Sequence, residues 1–151
     1  MNLKFTVMIH VSREVPEVFE AVADPEQLSR YFTTGGARGR LSSGETVTWD
    51  FHDFPGAFPV EVDEVVPNER IMFRWAANEA GQDAGYQTTV TMRFKPTQDG
   101  RTRVEIEEHG WPDTDAGLEA SYGNCMGWSQ MLAALKMWVE HRINLREGAY
   151  K

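Results

Sequence analysis

Phe5, Val7, Ile9 and Val11 alternate with Lys4, Thr6, Met8 and His10, and this period of two predicts an opening β-strand. The period then changes. In "SREVPEVFEAVADPEQLSRYF", Val18, Phe19 and Val22 fall at helical spacing, with Pro16 suited to a first helical turn. Pro25 restricts Asp24 to extended geometry, so a first helix ends there and a second short one should run from about Pro25 to Tyr31.

The turn-rich stretch "TTGGARGRLSSGE" leads back into strands. Val47, Trp49 and Phe51 share one face, as do Val60 and Val62, with Glu61 and Asp63 opposite. Ile71, Phe73 and Trp75 alternate with Arg70, Met72 and Arg74, and Pro67-Asn68 supplies the preceding turn. "ANEAGQDAG" reads as a polar loop. A last hairpin follows, its arms joined across "TQDG", with Val90, Met92 and Phe94 facing Val104 and Ile106. Everything after Pro112 reads as one long helix to about Arg146. Trp128, Met131, Leu132, Leu135, Trp138, Val139 and Ile143 share an arc of about 140° on it.

The order is strand, two short helices, roughly six strands and one long helix. Alternation on most strands implies an antiparallel sheet with one wet face, hence an α+β layer arrangement with the long helix across the apolar face. Toward the helix N-terminus the arc thins to Ser121, Asn124 and Cys125, with Gly123 and Gly127 beside them. A twisted sheet curls away from a straight helix, so a pocket is expected beside that half. Its walls are expected from Trp49, Phe51, Phe73, Trp75, Trp128, Met131 and Leu135. Glu108 continues the inward phase of Val104 and Ile106, which makes it the expected polar anchor of a ligand unless a bulge near Gly110 shifts the phase.

Charge and composition narrow the function. The net charge of −8 disfavours nucleic acid and anionic membrane. "MNLKFTVMIH" lacks the features of a signal peptide and no segment is apolar enough to insert in a membrane, so a cytoplasmic protein is expected. Cys125 is the only cysteine and has no histidine near it in sequence; a small buried filler is its expected role. His10, His52, His109 and His141 show no HxH or HExxH spacing, so neither metal nor cofactor is expected. "GGARG" lacks the Lys-Ser/Thr of a phosphate loop, and no GxSxG elbow is present.

"VPEVFEAVADPEQLSRYFTT" and the late "GWSQMLAALKMWVE" resemble the activator of heat-shock protein 90 ATPase homologue family, within the START-like, helix-grip superfamily of birch-pollen allergens and polyketide cyclases. The likeness covers essentially the whole chain, residues 1–151, as one START-like domain. It implies a seven-stranded antiparallel sheet gripping the long helix around a cavity. Because that fold serves many functions, the residues decide between them. A protein binding a hydrophobic small molecule or lipid-like ligand is expected, as a monomer or homodimer, with no reaction evident. A cyclase or hydrolase using pocket acids is the alternative, and it needs two converging ionisable groups where phase supplies only Glu108. A co-chaperone acting on a chaperone ATPase through its surface is the third reading, and it calls for a second, clamping domain.

Overall fold

A computed structural model describes residues 1–151. Strand β1, Leu3–Val11, is followed by α1, Val15–Ala23, and α2, Pro25–Leu28. Six strands come next: β2, Gly36–Arg38; β3, Thr46–Asp50; β4, Phe58–Val66; β5, Arg70–Glu79; β6, Gln82–Pro96; and β7, Thr102–Trp111. Helix α3, Asp115–His141, closes the order. The strands form one antiparallel sheet in the order β1-β7-β6-β5-β4-β3-β2, so the seven strands and long helix implied by the resemblance are present.

The junction between the short helices follows from proline chemistry. Asp24 is extended (φ −79°, ψ 117°), as Pro25 requires, and its carboxylate accepts the Glu26 backbone N–H at 3.0 Å, capping α2. Val18, Phe19 and Val22 are buried, and Phe19 packs edge-on against Phe94 with ring centroids 5.2 Å apart. The Tyr31 hydroxyl, fully buried, donates to the Ala21 carbonyl at 2.9 Å and so ties the turn after α2 back onto α1.

Three sequence expectations need correction. The turn-rich "GGARG" contains β2, a three-residue strand paired with β3 that is too short to show a period. "ANEAGQDAG" is no open loop, because β5 and β6 run through it to a two-residue turn. Ala80 and Gly81 there both have positive φ (51° and 81°), the twist that two-residue hairpins favour. Helix α3 stops at His141, since Arg142 turns left-handed (φ 56°, ψ 36°), and Ile143 is left exposed rather than on the buried arc.

Bulges adjust the sheet. The β4–β5 register slips at Asp63, which lets Val65 pair with Ile71 and join the core after Val60 and Val62. Gly110 is the extra residue of β7 against β1, at φ 122°, and it lies beyond Glu108. The inward phase of Val104, Ile106 and Glu108 is therefore unbroken, and all three are fully buried.

Helix α3 packs against β1, β5 and β7. Trp128, Met131, Leu132, Leu135 and Val139 lie in the core, as their spacing predicts. Near its C-terminal end α3 is fastened to the first strand. Lys136 Nζ donates to the His10 carbonyl at 2.8 Å, and Glu140 accepts the Ser12 backbone N–H at 2.9 Å. At the other end, Thr114 caps the helix by accepting the Gly117 N–H at 3.0 Å. Gly117 is buried there, and a Cβ on it would come within 2.2 Å of the Pro112 carbonyl oxygen. Gly117→Ala is accordingly expected to cost about 1–3 kcal/mol through overpacking, read as a lower urea midpoint. An unchanged midpoint would mean that the Pro112 turn shifts freely.

Candidate functional site

Beside the N-terminal half of α3 lies a cleft of about 930 Å³. Two of the six residues that α3 contributes to its lining are glycines. A Cβ added at Gly123 or Gly127 would meet nothing within 4 Å, so the missing side chains are what keep the space open. The facing walls come from Phe51 at the end of β3, the Phe54–Gly56 loop, Phe58 on β4 and Trp75 on β5. Phe32, after α2, and Arg146, Tyr150 and Lys151, after α3, also line it.

The rings are mutually braced. Trp75 stacks on Trp128 with centroids 5.3 Å apart and planes 29° apart, and Phe51 stacks on Phe58 at 5.8 Å. Phe54 and Met126 are more than half exposed, which makes the mouth apolar.

Beneath this wall sits Glu108, whose two oxygens are saturated by four neutral donors. Oε1 accepts from Trp128 Nε1 at 2.8 Å and from Asn124 Nδ2 at 3.2 Å. Oε2 accepts from Thr88 Oγ1 at 2.6 Å, Asn124 Nδ2 at 2.9 Å and Trp75 Nε1 at 3.0 Å. Burial raises the carboxyl's pKa above its ordinary value, outweighing the four donors that favour the charged form. One carboxylate from β7 thus fixes an indole from β5, an indole and an amide from α3, and a hydroxyl from β6.

A second anchor holds the segment after α3. Arg146 Nε and Nη2 donate to Asp53 Oδ1 at 3.2 and 3.0 Å. Both side chains are about nine-tenths buried, and the guanidinium lies 4.8 Å from the centroid of Phe51. Residues far apart in sequence are thereby drawn across one end of the cleft.

Of the residues expected in the wall, Phe51, Trp75 and Trp128 line the cleft. Trp49, Phe73, Met131 and Leu135 do not, being buried in the core behind it. Trp49 packs edge-on against both Phe73 and Trp75, one ring removed from the cleft. Met131 and Leu135 lie further along α3, where the helix seals the sheet. Glu108 points inward as its phase predicts, but it is fully buried under the wall rather than at the mouth. Arg142, the left-handed C-cap of α3, holds its guanidinium 5.2 Å from the Trp138 ring centroid. Cys125, expected as a buried filler, is partly exposed.

Sequence reasoning missed Phe32, Phe54, Phe58, Arg146 and Tyr150. The three phenylalanines of "FHDFPGAF" were a usable signal, because a solvated loop seldom carries so much apolar surface. Asn124 was visible on the arc, though its partner was not.

The family described as Activator of Hsp90 ATPase homolog 1-like protein matches residues 12–140. A sequence comparison with curated proteins finds no match. Among solved structures, protein SSP2350 from Staphylococcus saprophyticus is similar at TM-score 0.77 and 23% identity, over 95% of this chain and 96% of that one. DynU16, from the dynemicin biosynthetic locus, is similar at TM-score 0.76 and 25% identity over 92% of this chain, which spans about half of it (48%). The Aha1 dimer from Colwellia psychrerythraea is similar at TM-score 0.72 and 19% identity, over 92% and 97% of the two chains.

Proposed function

Because this chain belongs to the Activator of Hsp90 ATPase homolog 1-like family, a family whose shared fold leaves function open, we propose that it acts as one START-like domain that binds an apolar, ring-bearing small molecule in the cleft beside α3. The observation that carries this is the open space left on the helix side at Gly123 and Gly127, set against an opposing wall of Phe51, Phe58 and Trp75. Apolar clefts of this size with a few fixed polar groups are the usual form of small-molecule sites. Trp75 and Trp128 are held in place by Glu108 before any ligand arrives, so little side-chain freedom is lost on binding. The role assigned to Glu108 is to position the two indoles, with no direct ligand contact.

The test is fluorescence titration with N-phenyl-1-naphthylamine, a neutral apolar dye. Saturable one-to-one binding is expected in the wild type, and Gly127→Leu should abolish it by filling the cleft. Gly127→Ala should raise stability by about 0.5–1 kcal/mol, since a helix-interior glycine gains from a Cβ that meets nothing. Dye binding that is absent in the wild type, or unaltered by Gly127→Leu, would sink the reading.

A further inference from the structure

Resting on that reading, we infer that the cleft selects an organic anion, with its negative head on Arg146 and its apolar body against the rings. The first ground is charge. The chain carries 23 acidic and 15 basic residues, yet the only charged residues lining the cleft are Arg146 and Lys151, both cationic. A surface drawn at random from this composition would favour the opposite sign.

The second ground is the geometry of Arg146. Its Nε and Nη2 both donate to one oxygen, Asp53 Oδ1, and Nη1 makes no hydrogen bond. Arg70 likewise sets Nε and Nη2 on a single oxygen of Glu64, while two other arginines use both oxygens of their carboxylates. Arg40 reaches both oxygens of Glu20, and Arg74 both oxygens of Asp63. Those pairs are far more exposed, whereas Arg146 is nine-tenths buried and still keeps a donor free. Its plane is fixed by Asp53 and by the rings of Phe51, Phe32 and Tyr150, at 4.8, 5.8 and 5.7 Å. A guanidinium immobilised in apolar surroundings forms strong charge-assisted hydrogen bonds at low entropic cost.

A cationic ligand fits less well. Aromatic walls do attract cations, but Arg146 already occupies the faces of Phe51 and Phe32, and Lys151 Nζ lies 4.4 Å from the Phe54 ring centroid. Glu108 offers no counter-charge, being fully buried with both oxygens engaged.

Two dyes with one apolar body separate the terms: 8-anilinonaphthalene-1-sulfonate is N-phenyl-1-naphthylamine with a sulfonate added. The sulfonate is expected to bind the wild type at least about tenfold tighter than the neutral dye, the scale of one charge-assisted hydrogen bond. That ratio should shrink as salt is raised. In the double variant Asp53→Asn/Arg146→Gln, which leaves no lone buried charge, the ratio should fall by about tenfold. Circular dichroism and the thermal midpoint establish that the variant is folded, and the wild-type comparison stands without it. Equal affinity for the two dyes in the wild type, or a ratio that survives in the folded double variant, overturns the anion inference and leaves the ligand-binding reading intact. If neither dye binds, both fall together.

Discussion

Trp128→Ala is expected to lower the unfolding free energy by about 3–5 kcal/mol, the cost of a large ring lost from a core. The ring lines the cleft, and an open wall residue would cost less. Its burial and two contacts set it on the core side. It is only 2% exposed, it stacks on Trp75 at 5.3 Å, and its N–H donates to Glu108 at 2.8 Å. Removing the indole enlarges the void and takes a donor from a buried carboxylate, and the two penalties add. Met131→Ala, further along the same face, offers a comparison without the hydrogen bond and is expected at about 2–5 kcal/mol. Urea denaturation of the three proteins reads both. A loss below about 1 kcal/mol for Trp128→Ala would mark the ring as a surface lining that water readily replaces.

Glu108→Ala should be comparably damaging, at about 3–5 kcal/mol, because two indoles, an amide and a hydroxyl lose their common acceptor in a buried place. Glu108→Gln should cost less, about 1–3 kcal/mol. Its single carbonyl satisfies one side, while its amino group is set against donors on the other. The acid also has a pH signature. Burial raises its folded pKa above the ordinary 4.5, so the folded state binds more protons than the unfolded chain between those two values. Its contribution therefore favours folding below about pH 4.5 and is lost as pH rises through the raised value. Glu20, Glu105 and Glu140 are lowered by partners such as Arg40, Lys95 and Lys136, and they act in the opposite sense. The stability difference between wild type and Glu108→Gln across pH 4 to 8 cancels them. Wild type should lose ground to the variant as pH rises; a rising difference would mean that the four donors outweigh burial.

How much of this was legible in the residues differs by element. Alternation placed β1, β3 and the cores of β4 to β7, because each buries one face in the common core. Period alone could not see β2, which has three residues, nor the hairpin tip at Ala80-Gly81, where polar residues pair in solvent. The end of α3 was overrun because Ile143 continues an apolar rhythm that the left-handed Arg142 breaks. For the site, phase gave direction without position along the sheet. Trp49 and Phe73 face inward as read, but they lie under the wall, whereas Trp75 reaches the cleft. Glu108 was legible by phase alone. Arg146 was not, because only the folded chain brings it to Asp53, 93 residues away.

The margins of the sheet bear on a different property, the fate of the protein at high concentration. An open strand edge is a template for a second chain, and long flat edges seed fibrils. Here β2 ends the sheet with three residues, Gly36 at positive φ and Arg38 exposed, too short to nucleate a stable intermolecular ladder. The opposite edge, β1, is nine residues long, but it carries exposed Lys4 and Thr6, and the chain around its C-terminal end is engaged by Lys136 and Glu140. A chain extending the sheet along the C-terminal end of β1 must displace the Lys136 and Glu140 contacts that also hold α3 there. Colloidal stability and the docking of α3 are thereby coupled at that end of the strand.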